Sequence, residues 1–355
     1  MHRKIALVAL TVVLLTTSIV AHAQAPQARI GVTLGFTGPA DRWSKFQRMG
    51  IELAAEDLQK EGYEIELLFE DSQSKSRQSL SIFNKFVAVD HVNGILGDIF
   101  SFITEPLIPL ADREKKLLVS PSASRILCSN NKSKYFFTTA SQVARSSEGY
   151  GYFLDRHPEV KKVALVYFQD PGWGYQYRDA WRKLLSDRGI KVSGEFETGD
   201  FAPDFKTPLA RLLRDKPDAF FVAQDPTTFI PASRQMGFEG KIVFANNILE
   251  APASGTEVKT LEGIYFVDTL ASAAFEKRFV DRFNQAPLLE PYNGYEALRV
   301  LVTAIAQQPD SPELALPKIK YEGVSGMIDF SESCAGNKAR WHLKQFKDGR
   351  ISLIQ

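Results

Sequence analysis

Residues Val92–Pro106, VNGILGDIFSFITEP, contain a point at which a buried strand passes into a helix. Asn93–Gly97 has the apolar character of a strand, and a helix is predicted to run from Thr104 to Lys115. Ser101 lies between the two, a small hydroxyl among large apolar side chains. A hydroxyl in this position either caps the helix or holds a ligand, because both roles use the same hydrogen-bonding geometry.

The order of strand then helix extends in both directions from this junction. Predicted strands and amphipathic helices alternate from Arg29 to Val119, and the alternation starts again at Ser147 and continues to Asp268. Such alternation predicts βαβ units in mostly parallel sheets with helices on both faces. Because there are two series, we predict an α/β protein with two similar lobes, followed by a β-rich tail at Gly326–Gln355.

The N-terminus has the features of a signal peptide. Positive charge at His2–Lys4 precedes an apolar run, Ile5–Val20, and Ala21–Ala23 fits the A-x-A cleavage pattern. We therefore predict cleavage after Ala23 and export to the periplasm. No second stretch is apolar and long enough to span a bilayer, so no membrane insertion of the mature chain is expected.

Charge and motifs exclude several classes of function. Removal of residues 1–23 lowers Lys+Arg from 43 to 41 against 42 Asp+Glu, a balance that argues against a nucleic-acid partner. His91, His157 and His342 lack other ligands at metal-binding spacing, and a zinc site needs three or four converging ligands. The sequence contains no G-x-S-x-G, H-E-x-x-H or Walker A motif. We therefore expect no enzyme activity, no metal and no cofactor.

The sequence contains two cysteines, Cys128 and Cys334. An even number of cysteines in an exported chain favours one disulfide. The alternative is two free thiols, because sequence alone does not place the sulfurs within bonding distance.

Five segments, in order along the chain, resemble periplasmic amino-acid-binding proteins of the leucine/isoleucine/valine type. They are IGVTLGFTGPADRW (residues 30–43), GILGDIFSFITEPLIPLADREKKLLVSPSAS (94–124), VALVYFQDPGWGYQY (163–177), DFAPDFKTPLARLLRDKPDAFFVAQDP (200–226) and YNGYEALRVLVTAI (292–305). The resemblance implies the type I periplasmic binding protein fold, in which two Rossmann-like lobes with parallel central sheets are joined by a three-strand hinge. It also implies a monomeric solute-binding protein whose partners are a small-molecule ligand and the permease subunits of an ABC importer.

The resemblance further implies where the chain passes between the lobes. Lobe 1 would comprise residues 24–141 and 269–339, and lobe 2 would comprise residues 142–268 and 340–355. Both cysteines fall in lobe 1 under this division, which favours the disulfide.

The resemblance implies that Ser101 and the loop Ser122, Ala123 and Ser124 take the ligand's carboxylate. Neutral hydroxyls and backbone N–H groups at helix starts can satisfy an anion without a buried counter-charge. The alternative is that Ser101 and Ser124 only cap helices.

Aromatic residues in two loops match positions that cover the ligand in the family. Trp43 corresponds to the tryptophan of the first loop, and Trp173 corresponds to the aromatic residue that closes the cleft from lobe 2. Tyr175 is a nearby substitute for Trp173. The alternative for each tryptophan is packing alone.

The sequence departs from the family at the end of the site that holds an ammonium group. Amino-acid-binding members of the family have an aromatic or small residue at one position of this end, and this sequence has Gln224 or Asp225 there. At a second position those members have an acid, and this sequence has Asn247. Asp225 or Glu250 could supply the missing charge; otherwise the ligand lacks an α-ammonium group and is a carboxylate, an aromatic acid or an amide. An alternative function is a ligand-sensing receptor or regulator of the same fold.

Overall fold

The computed structural model describes residues 27–122, 124–200, 203–245, 248 and 256–355. The strands are β1 Gln27–Leu34, β2 Glu64–Asp71, β3 Gly94–Leu96, β4 Leu117–Ser120, β5 Phe136–Thr138, β6 Lys162–Phe168, β7 Lys191–Thr198, β8 Ala219–Ala223, β9 Lys241–Phe244, β10 Tyr265–Thr269, β11 Lys320–Gly323, β12 Gly326–Asp329, β13 Trp341–Lys347 and β14 Arg350–Leu353. The α-helices are α1 Asp41–Lys60, α2 Ser76–Ala88, α3 Ser101–Thr104, α4 Ile108–Glu114, α5 Ile126–Asn131, α6 Ser147–Arg156, α7 Gly174–Asp187, α8 Lys206–Leu213, α9 Pro226–Gln235, α10 Ala273–Phe283 and α11 Glu290–Gln307. Short 3₁₀ helices lie at Glu105–Leu107, Val143–Ser146, Val258–Leu261, Pro312–Leu314 and Leu316–Lys318.

The first sheet has the order β2-β1-β3-β4-β5, and all its neighbouring strands are parallel. On β1 the alternate residues Ile30, Val32 and Leu34 are fully buried in a core that also contains residues of α1 and α11. Alternate side chains of a strand point to the same face of the sheet, and Thr33 between them is also buried because this inner strand is covered on both faces.

Helices α1 and α11 pack with their backbones in close approach. A Cβ added at Gly50 would lie 2.6 Å from the carbonyl carbon of Pro291, and one at Gly294 would lie 2.6 Å from the carbonyl oxygen of Gln47. Only glycine leaves room for this approach, so the two glycines set the position of the N-terminal end of α11.

The second sheet has the order β14-β13-β10-β9-β8-β6-β7. Strands β6 to β10 are parallel to one another, whereas β13 runs antiparallel to β10 and β14 runs antiparallel to β13. The two antiparallel strands lie at one edge, where no helical crossover constrains their direction. The predicted class, α/β with two lobes built on parallel-rich sheets, is confirmed.

The chain passes between the two sheets three times. It leaves the first sheet after β5, returns after β10 to helix α10, and enters the second sheet again at β13. Phe275 and Phe279 of α10 belong to the core of the first sheet. The indole N–H of Trp341 donates to the carbonyl of Gln142 over 3.0 Å, which joins the first and third crossings.

Cys128 and Cys334 form a disulfide with their Cα atoms 5.7 Å apart, as predicted. The bond attaches α5 to the segment that leads to β13. Within the described part of the chain, no helix combines the length and apolar character needed to cross a membrane.

Candidate functional site

A cavity of about 360 Å³ lies between the two lobes, outside the carboxyl ends of the strands. Parallel sheets bind ligands at this edge, and the volume lies in the usual range for small-molecule sites. Seven predicted site residues line the cavity: Trp43, Ser101, Ser122, Ser124, Trp173, Gln224 and Asp225. Ala123 and Asn247, and the alternative acid Glu250, lie outside the described residues.

The loop before Ser101 is held by the buried carboxylate of Asp98. This side chain accepts hydrogen bonds from the Ser72 hydroxyl and from the backbone N–H groups of Ile99 and Phe100. Burial raises the pKa of Asp98 to about 6, although the three donors favour the charged form. The carbonyl of Asp98 accepts from the Ser120 hydroxyl over 3.2 Å, so two loops of the cleft are joined through one residue.

The helix predicted to begin near Thr104 begins three residues earlier. Phe100 is its N-cap residue, and the carbonyl of Phe100 accepts from the N–H groups of Ile103 and Thr104. Ser101 therefore does not cap the helix; its Oγ accepts instead from the N–H of Ser124 over 2.9 Å. Ser124 does act at a helix start, because its Oγ accepts from the N–H of Ile126 over 3.2 Å.

Ser101 and Ser124 also contact the second lobe. The Gln176 side chain donates to the Ser124 hydroxyl and to the carbonyl of Gly172. Gly172 lies so close to Ser101 that an added Cβ would overlap both the Cβ and the Oγ of that serine. The two lobes are therefore in direct contact at these serines, and the cavity is closed on this side.

The three aromatic candidates occupy different environments. Trp43 lies edge-on to Phe100, with ring centroids 6.2 Å apart, and lines the cavity. Trp173 also lines the cavity and packs edge-on against Tyr177 at 5.8 Å. Tyr175 is not among the lining residues; Arg178 stacks on its ring at 4.3 Å.

The polar residues after β8 are engaged within the protein. The Gln224 side chain donates to the carbonyl of Asp200 over 3.2 Å and accepts from the N–H of Asp225 over 2.9 Å. Asp225 caps α9 by accepting from the N–H of Thr227 over 2.7 Å. Its second oxygen lies 3.9 Å from the guanidinium of Arg42 on the first lobe.

Several cavity residues were not predicted from the sequence: Arg125, Ser141, Gln142, Asp170, Glu290, Asn293 and Trp341. Glu290 and Asn293 are three residues apart at the start of α11, a spacing that places both on one helix face and could have indicated them. Burial and the charge of Asp268 raise the pKa of Glu290 to about 7, and Arg42 opposes the shift. Burial also raises the pKa of Asp170, whose carboxylate accepts from the N–H groups of Gly172 and Trp173.

The side chains that line the cleft are of the kinds found in small-molecule binding sites. Hydroxyls, amides, aromatic rings and a few charged groups surround the cavity. Among the described residues, no group of three or more His, Cys, Asp or Glu side chains could hold a metal ion. Two lobes, three crossings and an interlobe cavity are the architecture of a two-lobed ligand-binding protein.

Comparison with known proteins identifies the family. The family model described as periplasmic binding protein matches residues 27–349. The chain belongs to this family.

Relatives and solved structures of similar overall form cover most of the chain. The leucine-, isoleucine-, valine-, threonine- and alanine-binding protein of Pseudomonas aeruginosa is 24% identical over 321 residues, which cover 83% of each protein. The branched-chain substrate-binding protein of Streptococcus pneumoniae, solved with isoleucine, has a TM-score of 0.80 at 19% identity and covers 93% of this chain and 99% of that one. A solute-binding protein of Rhodopseudomonas palustris, solved with 3,4-dihydroxybenzoic acid, has a TM-score of 0.81 at 20% identity and covers 92% and 95% of the two chains.

Proposed function

We propose that the protein is a periplasmic solute-binding protein that encloses a small carboxylate-bearing molecule between its lobes and delivers it to an ABC importer. The observation that carries this proposal is the cavity of about 360 Å³, which is lined from both lobes by hydroxyls, amides and aromatic rings. The family membership and the signal-like N-terminus support the periplasmic location, and the A-x-A pattern supports cleavage after Ala23 as part of the proposal. The sheet to which each strand belongs supports the lobe limits at 141/142, 268/269 and 339/340.

The carboxylate would lie at the loops that follow β3 and β4. Ser122 offers a hydroxyl to the cavity, and among the described residues this hydroxyl makes only one long hydrogen bond, 3.4 Å to the side-chain oxygen of Gln47. Ser101 and Ser124 line the same wall, and Arg125 adds a cation next to them. Hydroxyl and N–H donors of this kind hold an anion through charge-assisted hydrogen bonds.

Trp43 and Trp173 would cover the apolar part of the ligand from opposite lobes. Both rings border the cavity, one from α1 and one from the turn before α7. Burial of an apolar group between such rings stabilises the bound form in proportion to the area removed from water.

The two ligands named for the similar solved structures, isoleucine and 3,4-dihydroxybenzoic acid, share a carboxylate and differ in the rest of the molecule. This common group supports a carboxylate as the minimum requirement of the site. A neutral short amide offers no anion to the serine loops and is expected to bind weakly.

Isothermal titration of the purified mature protein tests the proposal, with leucine, benzoate and acetamide as probes. We expect micromolar binding of at least one carboxylate, and a loss of about tenfold in affinity in Ser122→Ala, since one hydrogen bond to a charged group contributes about 1.5 kcal/mol. Ser331→Ala, which removes a hydroxyl that bonds only Asp329 among the described residues, is the matched control and should leave binding unchanged. Failure of branched-chain, aromatic and small carboxylates alike to bind the folded protein would refute the proposed function.

A further inference from the structure

We propose that Gln176 holds the two lobes together in the closed form through a direct hydrogen bond to Ser124, and that this bond makes the closed form populated even without a ligand. Gln176 is then a positioning residue that sets the fraction of the protein that is closed. Its effect on ligand affinity rests on the proposed function, whereas its effect on lobe closure does not.

The two partners of this hydrogen bond belong to different lobes. Ser124 follows β4 of the first sheet, whereas Gln176 lies in the first turn of α7, whose Trp181 is buried in the core of the second sheet. The Gln176 Nε2 donates to the Ser124 Oγ, and the neighbouring Gly172 lies directly against Ser101. Because separation of the lobes moves these partners apart, the contacts exist only in the closed form.

The side chain of Gln176 is held in position within its own lobe. Its Nε2 also donates to the carbonyl of Gly172 over 2.7 Å, four residues earlier. That carbonyl belongs to a turn in which the Asp170 carboxylate accepts from the N–H groups of Gly172 and Trp173. Little conformational freedom is therefore lost when the Gln176 side chain meets Ser124, and a contact between groups held in advance contributes more to the stability of the closed form.

The acceptor on the first lobe is also fixed. The Ser124 Oγ accepts from the N–H of Ile126 over 3.2 Å at the start of α5, and the Ser124 N–H donates to the Ser101 Oγ over 2.9 Å. The side chain and the backbone of Ser124 are thus both held by the first lobe. Ser124 is buried in the closed form, and a hydrogen bond shielded from water is stronger than an exposed one.

A second polar contact between the lobes is weaker. The Arg42 Nη2 lies 3.9 Å from the Asp225 Oδ2, which is beyond hydrogen-bond distance, and the other oxygen of Asp225 caps α9. An ion pair at this distance that is partly open to solvent is weakened by salt. Of these two contacts, the hydrogen bond from Gln176 therefore contributes more to closure.

The hydrogen bond between Gln176 and Ser124 shifts the equilibrium between open and closed forms, because it is made in only one of them. A typical hydrogen bond changes such an equilibrium by about fivefold, equivalent to about 1 kcal/mol. The apparent affinity of a ligand that binds the closed form falls in proportion to the closed fraction, whatever the chemistry of the ligand. Gln176 also lines the cavity, but a direct contact with the ligand would affect some ligands more than others.

The distance between spin labels on the two lobes, measured by double electron–electron resonance, gives the closed fraction directly. Labels are attached at Val89→Cys and Val258→Cys, two exposed positions outside the cavity lining, one on each lobe. Unfolding, dialysis and refolding first remove any ligand retained in purification. Gln176→Met is the test variant, because methionine has a similar length and helix propensity but no N–H donor. We expect the wild-type protein to show both forms, and the ratio of closed to open form to fall by about fivefold in Gln176→Met.

Gln235→Met is the control, because Gln235 is exposed in the last turn of α9 and does not line the cavity. It should change the ratio by less than about twofold. Circular dichroism establishes that both variants are folded. In calorimetry with leucine, phenylalanine and benzoate, Gln176→Met should weaken every ligand that binds by one common factor, no greater than about fivefold.

Three results would overturn the role of Gln176 and leave the proposed function intact. They are a wild-type protein with no closed form in the absence of ligand, an unchanged ratio in Gln176→Met, and a loss of affinity confined to one ligand. A shift of the ratio in Gln176→Met, with no binding of branched-chain, aromatic or small carboxylates, would instead support the role of Gln176 and overturn the proposed function alone.

Discussion

Replacement of Lys344 by methionine should destabilise the second lobe strongly, because it leaves a buried carboxylate without its cation. Lys344 lies opposite Phe266 in the pairing of β13 with β10, so that Asp268 is its diagonal neighbour on the same face of the sheet. The Lys344 Nζ lies 3.3 Å from Asp268 Oδ2 and donates to the carbonyl of Thr269 over 2.9 Å. The side chains of Lys344 and Asp268 are only 10% and 2% exposed.

The magnitude follows from this burial. Removal of one partner of a buried ion pair costs about 3–5 kcal/mol, whereas replacement of both partners by apolar side chains is often close to neutral. In Lys344→Met, Asp268 keeps one hydrogen bond within the described part of the chain, from the N–H of Thr269 at 2.8 Å, which is too little to offset the lost charge. We therefore expect Lys344→Met to lower the free energy of unfolding by about 3 kcal/mol or more, and Lys344→Met with Asp268→Leu to recover most of it.

Urea denaturation followed by circular dichroism measures these free energies. Lys183→Met is the matched control, because Lys183 pairs with Asp187 at 2.8 Å on an exposed helix face with side chains 77% and 57% exposed. Removal of that pair should change the free energy of unfolding by less than about 0.5 kcal/mol. The reasoning is refuted if Lys344→Met and Lys183→Met have equal effects, or if the double variant is no more stable than Lys344→Met.

Three other predictions concern the cleft and its supports. Gly172→Ala should weaken binding of the tightest carboxylate probe by about tenfold or more in calorimetry, because the added Cβ would overlap Ser101 in the closed form and overpacking costs about 1–3 kcal/mol. The control is Gly199→Ala, whose Cβ would come no closer than 3.3 Å to the Gln169 side chain. An equal loss of affinity in the control would contradict this prediction. Asp98→Asn should alter the pH dependence of stability, because the folded pKa of about 6 lies above the reference value of 3.8 and the native state therefore binds the proton more tightly. Between pH 4 and pH 7 the free energy of unfolding of the wild type should fall by about 2 kcal/mol relative to the variant in urea titrations, whereas parallel pH profiles would refute this. The double variant Cys128→Ala with Cys334→Ala should have a free energy of unfolding about 5 kcal/mol lower on the chain-entropy model, because the bond closes a loop of 206 residues. A loss below about 1 kcal/mol would show that the bond contributes little to stability.

Local patterns in the sequence were sufficient for the fold class, and the family resemblance indicated much of the cavity wall. The periods of strands and helices depend on neighbouring residues, so the alternation of apolar runs predicts βαβ units without knowledge of distant contacts. Strand ends in a parallel sheet meet at one edge, and this rule brings Ser101, Ser122 and Gln224 to one cavity from three different strands. The count of cysteines and the export signal favoured the disulfide, and the lobe division that the family resemblance implies, which places both cysteines in lobe 1, favoured it further.

Local sequence patterns did not predict the direction in which individual side chains point. Tyr175 and Gln176 are adjacent in the first turn of α7, but Gln176 contacts Ser124 across the cleft while Tyr175 packs against Arg178. A step of one residue rotates a side chain by about 100° around the helix, so a prediction that places the loop correctly can still choose the wrong neighbour. The orientation of the helix on its sheet decides which of the two residues reaches the cavity.

The sequence therefore predicted two α/β lobes, favoured the bond between the cysteines and, with the family resemblance, indicated the loops that border a cleft. Tertiary packing decided which charges enter that cleft. Glu290 comes from a helix about 190 residues after Ser101 in the chain, and it reaches the cavity because Gly50 allows α1 and α11 to approach closely. The periodicity of either helix says nothing about this contact, because the separation of the two segments in space depends on how the intervening chain folds.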